Sequence, residues 1–305
     1  MDTNLSRRSF TKLLGSSFVT IAGLGLAACG GSSNEKTDES KASDASADAS
    51  KASSKDGFRT LEQIKADGKV IIGVFSDKAP FGYVDDAGAY QGYDVEFAQR
   101  LAKDLGVEPQ WVATDPANRV PFLESNKVDI ILANFTVTEE RAEKVDFSLP
   151  YMKVQLGVVS PDSALITSVE ELAGKKLIVA KGTTAETYFE AEHPEIELQK
   201  YDQYADAYNA LIDGRGDAFS TDNTEVLAWA IQNPGFTVGV DALGNVDTIA
   251  AAVAKGNKTL LDFINEEITT LADEQFFHQD YEKTLAPVYG EAANPDNLVV
   301  EGGKL

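Results

Sequence analysis

The chain of 305 residues has one cysteine, Cys29, and two histidines, His193 and His278. A lone cysteine excludes an internal disulfide, and near the end of an apolar N-terminal run it supplies no soft metal site or catalytic thiol to a folded core. The histidines are equally uninformative for catalysis. His193 precedes Pro194 in a polar stretch and His278 follows Phe276-Phe277 in a helical pattern, with no nucleophile or metal-ligand spacing around either. Both are expected at the surface or in packing, and neither a metal nor another cofactor is expected. No basic patch interleaved with aromatics exists to neutralise phosphates, and the formal charge is −22, which disfavours nucleic acid as a partner. A Gly-x-x-x-x-Gly-Lys-[Ser/Thr] sequence is missing, as is any internal repeat.

Acidity is what the chain has instead. Residues 1–28 contain three basic side chains and one acidic one, so the remainder carries about −24, a charge that favours solubility outside the cell. Those first residues read as an export signal. Arg7 and Arg8 lie in Ser6-Arg7-Arg8-Ser9-Phe10-Thr11-Lys12, followed by an uncharged stretch from Leu13 to Ala28 that is short of the roughly 20 residues of a spanning helix. The paired arginines match a twin-arginine signal except at Thr11, where that pattern prefers a large apolar residue. Leu26-Ala27-Ala28-Cys29 resembles a lipobox, which implies lipid modification of Cys29 as the first mature residue. From Gly30 to Lys55 the chain is mostly Ser, Ala, Asp and Lys, a composition that cannot bury enough apolar surface to order itself. It is expected to be a flexible tether over 29–56.

Residues 57–305 are long enough for two lobes. Strand-like runs alternate with helical patterns, which predicts an α/β fold with largely parallel strands. Lys69–Val74 reads as the first strand, and Val95, Ala98, Leu101, Ala102 and Leu105 as one helix face that Gly106 ends. Gln110–Ala113 is a strand, Asn118–Ser125 a helix and Val128–Ala133 a strand. A second set follows Pro150. Ser168-Val169-Glu170-Glu171 has the capping-box pattern, Lys176–Ala180 is a strand, and Thr184–Ala191, Ala205–Ile212 and Asn223–Ile231 are helical. A strand over Ile249–Val253 leads into an amphipathic helix carrying Leu260, Leu261, Ile264, Ile268 and Leu271, expected to return to the first lobe.

Leu132-Ala133-Asn134-Phe135-Thr136-Val137-Thr138-Glu139-Glu140-Arg141 carries the chemistry. Thr138 is a candidate helix N-cap, Glu139 and Glu140 suit the positive end of the helix dipole, and Arg141 is set beside the mouth of a strand. An arginine fork there matches a carboxylate in two parallel hydrogen bonds. The bland alternative is a surface helix whose arginine pairs with a glutamate. Gly182-Thr183-Thr184 reads as an anion-binding loop at a helix N-terminus, better suited to a ligand carboxylate than to a phosphate. Asp222, in Phe219-Ser220-Thr221-Asp222-Asn223, is either a ligand group or the N-cap of the next helix.

Taken in order, Ala79-Pro80-Phe81, Gln91-Gly92-Tyr93-Asp94-Val95, Val128-Asp129-Ile130, Thr136-Val137-Thr138-Glu139-Glu140-Arg141 and Val145-Asp146-Phe147-Ser148-Leu149-Pro150-Tyr151 resemble solute-binding family 3. This is the receptor type that serves bacterial ABC importers of polar amino acids. The resemblance spans 69–305 and implies a two-lobed type II periplasmic-binding-protein fold, with a ligand cleft between lobes joined by two crossover strands. Its implied boundaries are 57–152 and 247–305 for lobe one and 153–246 for lobe two. It implies that Arg141 clamps the α-carboxylate of an L-amino acid, helped by the backbone N–H groups of Thr136 and Thr184. The Asn134 carbonyl, the Thr136 hydroxyl and Asp222 would then meet the α-ammonium, with Phe135 and Gly182 in the same two loops.

For the side chain, Pro116–Leu123, Ile130–Thr136 and the tail Val299–Lys304 resemble the cysteine-binding lipoproteins of that family, which favours L-cysteine. Arg119 occupies a position that contacts the ligand side chain in relatives binding acidic amino acids, so aspartate and glutamate stay open, as does cystine. A surface charge is its alternative reading. Asn134 replaces a small residue common at that place, and Lys78 stands where an aromatic ring often stacks, which argues against a large planar ligand. The implied partners are the permease subunits and the membrane, through the lipid on Cys29. The chain is expected to be monomeric and to lie outside the cytoplasmic membrane, or in a periplasm. A dehydratase-like enzyme on the same fold and a surface adhesin are the alternative classes.

Overall fold

The computed structural model describes residues 57–305; the expected signal segment, Cys29 and the tether over 29–56 lie outside the described residues. The first helix is capped at Thr60, just after Arg59, which pairs with Asp67 and Asp129. The Thr60 hydroxyl accepts from the Gln63 N–H while the Gln63 side chain accepts from the Thr60 N–H, and this reciprocal cap starts α1 (Leu61–Asp67). Next come β1 (Lys69–Val74), a small antiparallel sheet of β2 (Asp77–Lys78), β3 (Gly82–Val84) and β4 (Tyr90–Gln91), then α2 (Tyr93–Leu105) and β5 (Glu108–Ala113). They are followed by α3 (Arg119–Glu124), β6 (Ile130–Ile131), α4 (Glu139–Ala142) and β7 (Val145–Pro161). The second set comprises β8 (Lys176–Ala180), α5 (Thr184–Glu192), β9 (Glu197–Tyr201), α6 (Tyr204–Ile212), β10 (Ala218–Asp222) and α7 (Asn223–Gln232). Finally β11 (Phe236–Ala254) leads to α8 (Lys258–Leu271) and α9 (Phe276–Asp280).

Eight of the strands form one sheet in the order β5-β1-β6-β11-β7-β10-β8-β9. At one end β1 pairs in parallel with β5 and β6, and at the other β8 pairs in parallel with β9 and β10. Between them run β7 and β11, antiparallel to each other over 17 and 19 residues. Each belongs to both halves. At one end of the pair Val253 of β11 faces Ile130 of β6, and at the other Phe219 of β10 faces Val159 of β7. The fold is therefore α/β with two lobes strung on two long shared strands.

The helix expected from Val95, Ala98, Leu101, Ala102 and Leu105 is α2. All five are buried, and Gly106 closes it in the left-handed conformation at φ 76°. They share a core with Ile72, Tyr151, Ile249 and the inward face of α8, where the Tyr151 and Phe277 rings stack at 5.7 Å. A separate core under the second half joins Leu156, Val158, Leu177, Val179 and Phe189.

Three local expectations change. The run Val128–Ala133 gives only two ladder residues, because the backbone turns into the left-handed region at Asn134, φ 42°, and the Asn134 N–H leaves the sheet for Asp94. Ser168 makes no side-chain cap, and Val169–Leu172 is a 3-10 turn held instead by Glu171, whose carboxylate accepts from the N–H and hydroxyl of Thr167. The strand expected over Ile249–Val253 is the last part of the much longer β11, whose earlier residues break the period-two pattern at register shifts, the widest between Leu243 and Asp247.

Asp94 fixes the turn that follows β6. Its two carboxylate oxygens accept from Tyr151 Oη at 2.6 Å and from the Asn134 N–H at 2.7 Å. Burial outweighs both bonds and raises this carboxyl to about 6. The native state therefore binds the proton more tightly than the unfolded chain, and stability contributed by this group is lost as pH rises from about 4 through 6. Asp94→Asn keeps an oxygen to accept from the Asn134 N–H, turns its NH2 toward the Tyr151 oxygen and cannot ionise, so it should gain about 2 kcal/mol relative to the parent between pH 4 and pH 7. Urea unfolding at both pH values checks this, and parallel curves would refute it. Gly92, which caps α2 at φ 118°, is a second test: a Cβ there would sit 2.4 Å from the Phe81 carbonyl oxygen. Gly92→Ala should cost about 2–4 kcal/mol in the same assay.

Candidate functional site

The first half delivers its part of the site through the turn after β6. Phe135, Thr136 and Val137 are stitched to β11: the Phe135 carbonyl accepts from Ala250, Thr136 bridges Ile249, and the Val137 N–H donates to Thr248. Thr138 then caps α4 with its hydroxyl on the Arg141 N–H, as its position suggests. So anchored, Arg141 turns inward. Its Nη1 donates to the Thr136 carbonyl at 2.7 Å and its Nη2 to the Gly182 carbonyl of the second half at 2.9 Å, with the guanidinium 5.0 Å from the centre of the Phe135 ring.

Arg119 is no surface charge; it is 3% exposed. Its Nε donates to Pro116, Nη1 to Ala133 and Asn134, and Nη2 to Gly182, while its guanidinium packs 4.4 Å from the Phe135 ring centre. Two guanidiniums thus share one carbonyl across the halves. Burial first, and then the positive field of Arg119, pushes Arg141 down to about 9, with Asp222 opposing. Burial likewise lowers Arg119. An anion delivered between them would relieve both.

On the second half, the hydroxyl of Thr183 accepts from the Glu186 N–H and caps α5, which leaves Thr184 and Ala185 in a first turn whose N–H groups lack intrahelical partners. Gly182 allows this loop to touch the first half. At φ 76° its Cα lies so close to Ala117 that a Cβ would meet the Ala117 Cα at 2.6 Å.

Asp222 ends β10 and stands at the N-cap position of α7, yet its side chain makes no cap bond. It points across the cleft, where Oδ2 accepts from Asn134 Nδ2 at 2.8 Å and lies 3.7 Å from Lys78 Nζ. The Asn134 carbonyl faces Arg119, and its Oδ1 is buried with no hydrogen-bond partner. The structure thus brings Arg141, Arg119, Phe135, Thr136, Asn134, Gly182 and Asp222 together, with Thr184 at the margin.

Lys78, Tyr204 and Glu225 complete the cluster; the sequence marks Lys78 only as standing where an aromatic ring often stacks, and Tyr204 and Glu225 not at all. Lys78 is 1% exposed, donates to Tyr204 Oη at 3.2 Å and meets Glu225 Oε2 at 2.5 Å. The usable signal was a charged side chain, Glu225, on the buried face of α7 beside Val226 and Trp229. A cavity of about 460 Å³ lies against α5 and shares Thr184 with the cluster, but its other lining residues, such as Tyr188, Leu243 and Asp247, do not include the charged groups at the centre. His193 and His278 lie elsewhere, His278 pairing with Glu301 and Asp296. Among the described residues no group of His, Cys, Asp and Glu is placed to hold a metal ion, and no helix is long and apolar enough to cross a membrane.

What the arrangement can do is receive a small molecule with separated charges, the anion at Arg141 and the cation at Asp222. Known proteins of this shape include the solute receptor for L-cysteine of Neisseria gonorrhoeae, 51% identical, with a TM-score of 0.78 over 80% of this chain and 100% of that one. A cysteine-binding protein from Campylobacter jejuni is 53% identical, also with a TM-score of 0.78, over 79% and 98%. A glutamine-binding protein of an ABC transporter in Bacillus subtilis is 32% identical over 284 residues, which is 92% of this chain and 97% of the relative. Residues 70–286 match the model of one family, and the chain belongs to it: the bacterial extracellular solute-binding proteins, family 3.

Proposed function

We propose that this protein is the extracytoplasmic receptor of an ABC importer, holding L-cysteine as a zwitterion between its two halves and delivering it to the permease. The observation that carries this reading is the convergence of Arg141 and Asp222 from opposite halves, Asp222 buried and Arg141 half-buried. Arg141 takes the α-carboxylate, aided by the N–H groups of Thr136 and Thr184, and Asp222 takes the α-ammonium. Arg119 holds the Asn134 turn and the Gly182 loop in register, and Phe135 closes the floor beneath both guanidiniums. Residues 57–152 and 247–305 act as one lobe and 153–246 as the other, so a ligand touching both favours the closed form through contacts made only there. The preference for cysteine rests on relatives above 50% identity whose names specify it. Lipid on Cys29, with 29–56 as tether, would keep the monomeric receptor beside its permease.

Calorimetric titration with cysteine under reducing conditions, then cystine, aspartate, glutamate, glutamine and histidine, tests the ligand. Tightest binding of cysteine is expected; a different winner would overturn the specificity, and silence across the panel the receptor itself. Arg141→Ala should lose on the order of 2–5 kcal/mol of binding with folding little changed, the range for breaking a buried charge pair. Parental affinity in that variant would refute the clamp. Cys29→Ser should move the protein from the membrane pellet to the soluble fraction after ultracentrifugation, and unchanged sedimentation would exclude the lipid anchor.

A further inference from the structure

Lys78 is the buried charge for which the zwitterion leaves no role. It sits on the β2 hairpin of the first half, enclosed by the rings of Tyr204, Phe75 and Phe81 at 4.5, 5.3 and 5.6 Å from Nζ. An ammonium has three donors. One goes to Tyr204 Oη and one faces Glu225, whereas the nearest other acceptor, Asp222 Oδ2, is 3.7 Å away, beyond hydrogen-bond distance. Once Asp222 receives a ligand's α-ammonium, a second positive charge stands beside Lys78 and draws on Asp222, which leaves Glu225 as the one carboxylate in contact with Lys78 and the third Lys78 donor without an acceptor. In a site closed to water both effects favour a ligand that brings an anionic, strongly accepting group of its own to the third Lys78 donor. The α-carboxylate is committed to Arg141. The remaining substituent on the ligand's α-carbon is its side chain.

We propose, resting on the amino-acid receptor reading above, that Lys78 and Tyr204 receive the ligand's side chain and that cysteine is bound there as its thiolate. A neutral thiol is a weak acceptor and would leave the Lys78 donor unpaired, whereas a thiolate both accepts and offsets the charge. Sulfur is also suited to the ring-lined surroundings, being polarisable and favourable at aromatic edges. The step is a simple ionisation: the S–H bond breaks, the electron pair stays on sulfur, and the proton passes to the buffer. A free thiol with a pKa of about 8.5 is almost wholly protonated at pH 7, so binding must release close to one proton. This separates cysteine from aspartate, which would bring its negative charge already formed, and from serine, which cannot ionise in this range.

The test is calorimetry of the full chain with cysteine at pH 7 in buffers of different ionisation enthalpy, under reducing conditions. Close to one proton released per cysteine is expected, with affinity rising about tenfold per pH unit between pH 6 and pH 8; alanine and serine should release none. Lys78→Met, combined with Glu225→Gln so that no carboxylate is left unpaired, should abolish the release and weaken cysteine binding at least tenfold. Cysteine binding without proton release would overturn the thiolate while leaving the receptor intact. Failure of cysteine to bind at all would remove both readings. If the double variant does not fold, the proton count on the unaltered protein decides alone.

Discussion

The described chain passes between its two halves only along β7 and β11, and the pairing of these strands is the constraint on which the rest is built. The pair gives each half a neighbouring strand: β6 pairs with the far end of β11, β10 with the far end of β7. Where the ladder crosses between the halves it is least regular. Leu243 pairs with Leu156 and Asp247 with Val154, so four steps of β11 oppose two of β7, and Gly244–Val246 have no ladder partner. The ladder carries smaller shifts within each half as well, but this widest break falls between them, where bending costs the fewest ladder bonds, while Phe75, Ile131 and Phe135 of one half still pack in one core with Val159, Tyr204 and Phe219 of the other.

Everything at the cleft then depends on charges that the fold has taken out of water. Arg119 and Arg141 are supplied with backbone carbonyls rather than carboxylates, and their shared acceptor, the Gly182 carbonyl, belongs to the opposite half. Carbonyls satisfy the donors but leave the charge uncompensated, which is why burial depresses both guanidiniums. The site is electrostatically poised in this sense. A carboxylate arriving with matching geometry gains from a penalty already incurred in folding, a form of preorganisation.

Much of this was legible in the order of residues. Helix α2 follows from its apolar spacing and terminal glycine, α4 from Thr138, and the inward placement of Arg141 from the cap that starts its helix. The residues Arg141, Asp222 and Gly182 were reached only by combining those local signals with a family resemblance, since nothing in a sequence states that positions 134 and 222 touch. The extent of β11 was illegible for a related reason: Phe236, Val238 and Val240 alternate as a strand should, but the bulged stretch from Leu243 to Asp247 that joins them to Ile249–Val253 is glycine- and asparagine-containing and is held by its partner rather than by its own pattern. Glu225 escaped because a charge normally signals surface, and Lys78, noted only as standing where an aromatic ring often stacks, is paired with it by long-range packing alone.

Gly182 is best regarded as a gap left for the opposite wall. Its φ of 76° and the 2.6 Å that would separate a Cβ from the Ala117 Cα mean that any side chain at this position would act as a doorstop set at the rim. Each half could still fold, and the groups for the ligand's two ends would still be present, but the jaws would be propped ajar. Such a chain would sample solutes without retaining them, and would offer the importer the outline of a receptor that is always still open.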